Sequence, residues 1–180
     1  MPAQESMLYL GSTIHGSGRF GCEVSRKIGA ATADFRSLQT VWKHASVRMP
    51  RKVQLFEACI QSKLRYALAS AWLLKADLRR LDGFQASCLR KILGIPHSFY
   101  SRISNATVLA RSGCTPFSAT VKSMQLKLLE NVLSNPRKNQ LREVAFHGHT
   151  IVSETAAYVR CAGRPRQNWT EQVMAMRAAM

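Results

Sequence analysis

Apolar residues recur at steps of three and four along three stretches of the first half of the chain, a spacing that gathers them on one face of an α-helix. The stretches run roughly over residues 22–42, from Pro50 to about residue 68, and over 76–93. Three amphipathic helices with short connections can bury such faces against one another, so the pattern predicts a three-helix bundle. The inward positions are Val24, Ile28, Ala31, Phe35, Leu38 and Trp42; Val53, Phe56, Ile60, Leu64 and Ala67 or Leu68; and Leu78, Leu81, Phe84, Cys88, Leu89 and Ile92.

Beyond the third helix the spacing of apolar residues is less regular. There the predicted helices are bounded by residues that typically start or end a helix. Residues 137–168 are polar and irregular. The expected boundaries are Gly94 and Pro96 after the third helix, Ser104 and Gly113 around a short helix, Thr115-Pro116 and Asn135-Pro136 around a longer one, and Asn168 before a last helix containing Trp169, Val173 and Met176.

The first residues favour a strand. Residues 8–14 read as one short strand, and Gly16 and Gly18 supply a turn before the first helix. A lone strand has no partner, so it needs pairing from elsewhere. The predicted fold is mainly α, with a short N-terminal β element over 1–20, the bundle over 21–95 and a helical extension over 96–180.

The net charge of the chain limits the kinds of binding partner that are expected. Twenty-six Lys and Arg face ten Asp and Glu, which gives +16, and seventeen of the bases are Arg. Such an excess repels itself unless a polyanion neutralises it, and the planar guanidinium suits phosphate. Nucleic acid is the favoured partner; a solvated basic surface, an anionic membrane and an anionic protein are the alternatives.

Several classes of protein are disfavoured. No run approaches 18 apolar residues, and the first twenty lack a basic start followed by an apolar stretch, so neither a membrane span nor a signal peptide is expected. Five widely spaced cysteines indicate reduced thiols rather than a disulfide framework, hence a nuclear or cytoplasmic protein that is not secreted. His147 and His149 with the distant Cys161 lack a Cys-x-x-Cys partner, so no metal site is predicted.

Six blocks of residues occur in a familiar order. They are Tyr9-Leu10-Gly11-Ser12 with Ile14 and Gly18; Ser25 to Ile28 with Ala31, Phe35, Leu38 and Trp42; Lys52 to Tyr66 ending at Trp72; Leu81 to Gln85 with Cys88 to Ile95; Arg102, Ser104-Asn105 and Val108; and Gly163-Arg164-Pro165-Arg166 with Trp169. Together they resemble the region beyond the catalytic palm in reverse transcriptases of non-LTR (LINE-type) retrotransposons. The resemblance covers nearly the whole chain.

This resemblance implies a thumb that packs on a template–primer hybrid, with Tyr9, Leu10 and Gly11 at a primer-grip-like position. The palm and fingers of the parent polymerase would supply the chemistry, with paired aspartates holding Mg²⁺. This chain has only Asp34, Asp77 and Asp82, none adjacent to another, so no catalytic residue, cofactor or enzymatic activity is expected of it.

The chain departs from the family pattern at two places. Where family members often carry a Tyr-Gly pair and an acidic residue before a tryptophan, Ala67 follows Tyr66 and no acid precedes Trp72. Where many carry Gly-His and Arg after the later helix, Glu130-Asn131 and Ser134 stand instead.

The basic residues that would contact the nucleic-acid backbone follow from helical spacing. Arg79, Gly83, Ala86 and Arg90 share one face of the third helix, where small residues between two arginines would let a phosphate backbone approach. Among the tryptophans, Trp169 is the best candidate for stacking on a base, although packing of its helix against the protein is favoured over stacking. The predicted binding residues are Arg26, Lys27, Arg48, Arg51, Lys52, Lys63, Arg79, Arg90, Lys91, Arg164 and Arg166.

Three other functions stay open. The chain could be a helical protein-interaction module that binds through the apolar face of residues 116–133. It could be a decayed retroelement relic with no selected role. It could also belong to an intact polymerase in a longer reading frame.

Overall fold

The computed structural model of the protein is mainly α-helical, and it describes residues 6–9, 11–15, 20–134, 140–146, 151 and 169–179. A two-stranded antiparallel sheet precedes the helices. The predicted fold class, mainly α with a short N-terminal β element, is confirmed. The elements are β1 Ser6–Tyr9, β2 Ser12–His15, α1 Gly21–Ser37, α2 Gln39–Lys43, α3 Met49–Phe56, a π-helical turn Glu57–Gln61, α4 Ser62–Arg65, α5 Lys75–Leu93, α6 Ser98–Ser101, α7 Asn105–Ser112, α8 Phe117–Ser134, α9 Gln140–Ala145 and α10 Trp169–Ala178.

The N-terminal strand has its own partner, so the prediction of one continuous strand over 8–14 is wrong. Tyr9 pairs with Ser12 across a two-residue turn, and β1 and β2 form a hairpin. Gly11 in this turn has φ +78°, a left-handed conformation that glycine adopts at little steric cost. The glycine reverses the chain in the middle of the apolar run.

The first predicted helix is interrupted. It was expected to run from Cys22 to Trp42, but α1 ends at Ser37 and the short α2 follows. The Trp42 indole donates a 2.8 Å hydrogen bond to the carbonyl of Phe35, and the two rings stack at 5.1 Å. Seven residues span about 10 Å of uninterrupted helix, so the break brings the indole back to this carbonyl. Trp42 is thus a core residue, as its position on the apolar stripe predicted.

The second helix keeps its predicted apolar face by changing its winding. All of its expected apolar positions through Leu64, together with Leu68, are buried. From Phe56 onward these positions recur every four residues, a spacing that drifts around an ordinary helix of 3.6 residues per turn. The π-helical turn over residues 57–61 is wider, and it compensates for the drift in the middle of the run.

The third helix matches its prediction closely. It ends at Gly94, whose φ of +67° is the expected left-handed cap. Leu81, Leu89 and Ile92 are buried as expected. Of the two cysteines expected among apolar positions, Cys88 is buried, whereas Cys59 is exposed. Burial raises the pKa of the Cys88 thiol to about 12.

A buried glutamine and an aspartate of α5 hold the start of α8. Gln85 donates to the carbonyl of Thr115 at 2.9 Å and accepts from the backbone N–H of Phe117 at 2.8 Å. Asp82 accepts from the N–H of Ser118 at 2.8 Å. These are amide groups that a helix N-terminus leaves without an internal partner, and a carboxylate there also suits the helix dipole. The expected start after Thr115-Pro116 is confirmed, as is the Ser104 cap of α7, which accepts from Thr107 N–H.

The chain divides into two compact units. Unit 1 comprises residues 1–68 and 73–121, and unit 2 comprises residues 69–72 and 122–180. In unit 2, Leu129, Val132, Phe146 and Val173 form a buried cluster against which Trp169 packs. The predicted division at residues 20 and 95 stays a prediction, because packing units and functional domains need not coincide.

The last predicted helix is present as α10, and it contains the three residues expected. A short helix, α9, lies in the segment that was expected to be irregular. Its Ala145 packs against the unit 2 cluster, and this contact with a core favours a helix that the polar pattern did not reveal. Asn135-Pro136 and Asn168 lie outside the described residues.

The left-handed backbone conformation of Ala67 can be tested directly by mutation. It has φ +60°, which an alanine side chain disfavours by about 1–2 kcal/mol. We expect Ala67→Gly to raise the free energy of unfolding by about 0.5–1 kcal/mol, after allowance for the greater freedom of glycine in the unfolded chain. Urea denaturation measures this. The same change at helical, exposed Ala33 should lower stability by about 0.5–1 kcal/mol, and equal signs at the two sites would contradict the assignment.

The two hydrogen bonds from Gln85 to the start of α8, which we call the Gln85 clamp, give a second test. Gln85→Leu keeps an apolar stem but leaves the Thr115 carbonyl and the Phe117 N–H without their partner. We expect a loss of about 1–3 kcal/mol of unfolding free energy by urea denaturation. Gln54→Leu, at an exposed position of α3, should stay within about 0.5 kcal/mol of the wild type. A similarly small effect at Gln85 would show that the clamp does not stabilise α8.

Candidate nucleic-acid interface

Two helices of unit 1, α1 and α5, run side by side in the same direction. Near their starts, Arg80 donates to the Ser25 hydroxyl at 2.7 Å. Near their ends, the Lys91 ammonium lies 5.9 Å from the ring centroid of Phe35. Ten residues separate the two contacts on α1 and eleven on α5, so the helices are nearly parallel and matched in length.

The exposed side of α5 is a row of basic and small residues. Lys75, Arg79, Gly83, Ser87 and Lys91 are all exposed, and they follow one another at steps of four. Each step turns the row by about 40°, so it winds around α5 by about 160° from its first residue to its last. Sixteen residues of helix carry this row over about 24 Å. Arg80 is exposed beside it. A Cβ added at Gly83 would meet nothing within 4 Å, so the middle of the row is open.

The exposed side of α1 is also made of small residues with bases beside them. Ser25, Gly29 and Ala33 form a row, with Arg26 and Arg36 flanking it. Gly29, like Gly83, has nothing within 4 Å of an added Cβ. Small side chains let a long, regular ligand approach the helix backbone while the arginines reach it from the edges.

Helix geometry places these two exposed sides on the same side of unit 1. At about 100° per residue, the exposed side of α1 is about a quarter turn from the side that touches α5. On α5 the middle of the row, at Gly83, is about a quarter turn from the side that touches α1, in the opposite rotational sense. At the ends of the row, Lys91 lies on the side that touches α1, and Lys75 is turned away from it. For parallel helices, opposite senses mean one shared surface. We call it the α1–α5 surface: Ser25, Arg26, Gly29, Ala33, Arg36, Lys75, Arg79, Arg80, Gly83, Ser87 and Lys91.

The acidic residues of these helices lie elsewhere. Both helices are described along their whole length, and none of their four acids belongs to the α1–α5 surface. Glu23 and Asp77 are buried, Asp82 binds the start of α8, and Asp34 pairs with Lys63 of α4 at 2.7 Å. Two bases of the surface are paired, since Arg26 lies 2.7 Å from Glu23 and Arg80 lies 3.6 Å from Asp77. The other four bases face solvent with no acid of either helix among them.

Glu23 connects the hairpin to α1. Its carboxylate accepts from the backbone N–H of Thr13 at 3.0 Å and from two nitrogens of Arg26 at 2.8 and 2.7 Å. Arg26 also donates to the carbonyl of Gly11 at 2.6 Å. Lys27 is buried 3.7 Å from the same carboxylate and lies over the Tyr66 ring. Burial raises the pKa of Glu23, but the hydrogen bonds from Arg26 and Thr13 outweigh it and hold the pKa below its ordinary 4.5.

The α1–α5 surface includes three of the predicted binding residues, Arg26, Arg79 and Lys91. Two predicted lysines, Lys27 and Lys52, are buried instead. Burial is the main reason that the pKa of Lys27 is lowered. The remaining described candidates are exposed on other helices: Arg48 and Arg51 at the start of α3, and Lys63 on α4.

Arg90 was expected to face a phosphate, but it serves inside the protein. Its side chain is only 6 % exposed. The guanidinium donates to the carbonyls of Pro96 and Ile103, the latter at 2.6 Å, and to the side-chain oxygens of Ser101 and Asn105. The segment after α5 covers this edge of the helix, so the expected Arg79–Arg90 face is wrong and the exposed row turns toward Ser87 and Lys91.

Other predicted residues fall outside this surface or outside the described chain. Tyr9 and Gly11 of the primer-grip-like group are exposed in the hairpin, whereas Leu10 lies outside the described residues, as do Arg164 and Arg166. Trp169 is part of the unit 2 core, and its indole donates to the Ala69 carbonyl at 2.9 Å. This use of its ring favours helix docking over base stacking.

Sequence reasoning missed Lys75 and Arg80 and the small row of α1. A four-residue periodicity starting from Lys75 would have found the basic row. The small row has no charge to attract notice, and its meaning depends on the neighbouring helix.

The described residues contain no helix long and apolar enough to cross a membrane. Among them, no group of three or more His, Cys, Asp or Glu could hold a metal ion. Asp77 accepts from Leu74 N–H and lies 3.6 Å from Arg80, so each of the three aspartates has a structural partner. No known protein family, curated protein or solved structure matches the chain.

The Glu23 network predicts a pH dependence. Because the folded-state pKa of Glu23 is lowered, its contribution to stability is present above about pH 4.5 and is lost as the pH falls through the folded-state value. We expect Glu23→Gln to lower the unfolding free energy by about 1–3 kcal/mol at neutral pH, since the amide nitrogen cannot accept from Arg26.

Urea denaturation of both proteins at neutral pH and at about pH 3 measures this contribution, and the difference between them should shrink in acid. Glu130→Gln, at an exposed position of α8, is the control and should have little effect at either pH. A difference that stays constant with pH would rule out the carboxylate as the stabilising group.

Proposed function

We propose that this chain binds nucleic acid through the α1–α5 surface, as a non-catalytic, thumb-like part of the reverse transcriptase of a non-LTR retrotransposon. The favoured ligand is an RNA–DNA hybrid, held by its sugar–phosphate backbone. The chemical step belongs to the palm and fingers of the parent polymerase, with Mg²⁺. The proposal places the protein in the nucleus or cytoplasm.

The observation that carries the proposal is the separation of charges on α1 and α5. The acids bind inside unit 1 or at its helix ends. Six bases line one surface with small residues between them, and four of the six are not paired with the acids of these helices. A phosphate backbone is a long array of negative charge, and it matches such a surface better than a compact anion does. Contacts of this kind position a duplex without reading its sequence.

The resemblance supports the choice of nucleic acid. Residues 81–85, part of the most typical block, hold the start of α8 through Asp82 and Gln85 and expose Gly83 on the surface. The departure at Ala67 coincides with a left-handed backbone, where the glycine of the family pattern would fit better. Both features agree with a shared backbone, although no match to the family supports it.

A protein-interaction module is the weaker candidate. The apolar face of residues 116–133 that would bind a partner is largely covered by the chain itself, because Phe117, Val121 and Val132 are buried. Its other two residues, Met124 and Leu128, are half-buried. If the chain is a retroelement relic with no selected role, nothing is expected of its surface. Such a relic could also be unstable, and a cooperative unfolding transition would count against that.

Binding of a fluorescent RNA–DNA hybrid, followed by anisotropy over a range of salt concentrations, tests the proposal. The wild type should bind at low salt and weaken steeply as salt rises. Replacing Lys75 and Arg79 together by Ala should weaken binding about tenfold, and each lost phosphate contact should flatten the logarithmic salt slope by about 0.7–0.9.

Lys122→Ala with Lys127→Ala is the matched control, since it removes two exposed bases from α8. It should leave the salt slope nearly unchanged. Equal losses from both double variants would indicate attraction by overall charge alone, and an absence of binding by the wild type at low salt would refute the proposed function.

A further inference from the structure

Two aromatic side chains stand in solvent just after α5. Phe99 is 68 % exposed and Tyr100 is 78 % exposed, both on the short helix α6. Their rings meet edge to face, with centroids 5.3 Å apart. Large apolar side chains left this open need a reason, because burying them is ordinarily favourable.

The aromatic pair is held in place by the buried Arg90. This residue donates to Ser101 within α6 and to the carbonyls of Pro96 and Ile103 on either side of the helix. A guanidinium with partners on both flanks fixes the segment at the C-terminal end of α5. Lys91, the last base of the α1–α5 surface, follows Arg90 directly in that helix.

Arg102 places a cation over one of the rings. Its guanidinium carbon lies 5.7 Å from the ring centroid of Phe99. The residue has φ +53°, an uncommon conformation for a side chain of this size. Strained backbone conformations are often found at binding sites. The strained Arg102, with its guanidinium over an exposed ring, therefore supports a role of this ring in binding.

The surrounding sequence is free of negative charge. Residues 83–121 contain no Asp or Glu, while Arg90, Lys91, Arg102 and Arg111 lie within them. An acidic or apolar peptide would gain little specificity from such a setting. A nucleobase offers a flat π face to the rings, and its phosphate offers a charge to the bases.

We propose that Phe99 and Tyr100 form a stacking site for unpaired bases of the strand that extends from the duplex on the α1–α5 surface. This inference rests on the proposed function and names the part of the ligand that α6 receives. Stacking on aromatic rings tolerates any base, so the site would recognise single-stranded character and not sequence.

The test compares two RNA–DNA hybrids of equal duplex length, one blunt and one with an overhang of about four nucleotides. The full chain should bind the overhang hybrid more tightly. Replacing Phe99 and Tyr100 together by Ala should weaken binding of the overhang hybrid about tenfold or more and leave binding of the blunt hybrid unchanged. Fluorescence of 2-aminopurine in the overhang should be quenched by the wild type and not by this variant.

Two further variants separate stacking from general effects. Exchanging the rings, Phe99→Tyr with Tyr100→Phe, should keep both the affinity and the quenching. Val144→Ala removes another exposed apolar side chain, in unit 2, and should change neither.

The outcomes distinguish the two proposals. If neither hybrid binds, the proposed function fails and this inference with it. If the blunt hybrid binds but the overhang adds nothing, or the alanine variant loses equally on both hybrids, the stacking site is refuted while the α1–α5 surface stands. Loss of self-association in the alanine variant, with both hybrids bound as before, would identify a protein contact and overturn the inference.

Discussion

The structure depends on the groups to which the acidic side chains of α1 and α5 are hydrogen-bonded. Glu23 ties the hairpin to α1, Asp77 binds the start of α5, and Asp82 binds the start of α8. Each carboxylate accepts from a backbone N–H that a strand or a helix end presents. Because these contacts draw the acids inward, no acid lies on the exposed sides of the two helices, and only Arg26 and Arg80 of the surface bases reach an acid, Glu23 and Asp77.

Buried polar side chains of α5 fix the segments that pack against the edges of this helix in unit 1. Gln85 satisfies both a carbonyl and an N–H at the start of α8, and Arg90 gathers the segment that follows α5. A buried polar side chain is costly when unpaired, so such residues specify one arrangement of the segments they join. The same contacts set the position of the exposed row on α5 and of the aromatic pair on α6.

Much of the fold could be predicted from the sequence because helix periodicity and caps are local signals. The inward face of the third helix and the caps at Gly94, Ser104 and Gly113 are where the pattern placed them. The hairpin around Gly11 and the break at Leu38 were missed, because each depends on contacts that form only once the predicted strand or helix is interrupted. The binding residues were harder: charge and spacing alone cannot tell that Arg90 and Lys52 are buried while Lys75 and Arg80 are exposed.

Lysine footprinting of the complex tests the central claim most directly. The chain is mixed with an RNA–DNA hybrid at low salt, treated briefly with an acetylating reagent, and each lysine is quantified by mass spectrometry. The account predicts that Lys75 and Lys91, at the two ends of the α5 row, are both protected while Lys122 and Lys127 of α8 react as they do without the hybrid. Protection confined to α8, or equal reactivity of all four lysines with and without the hybrid, would contradict it.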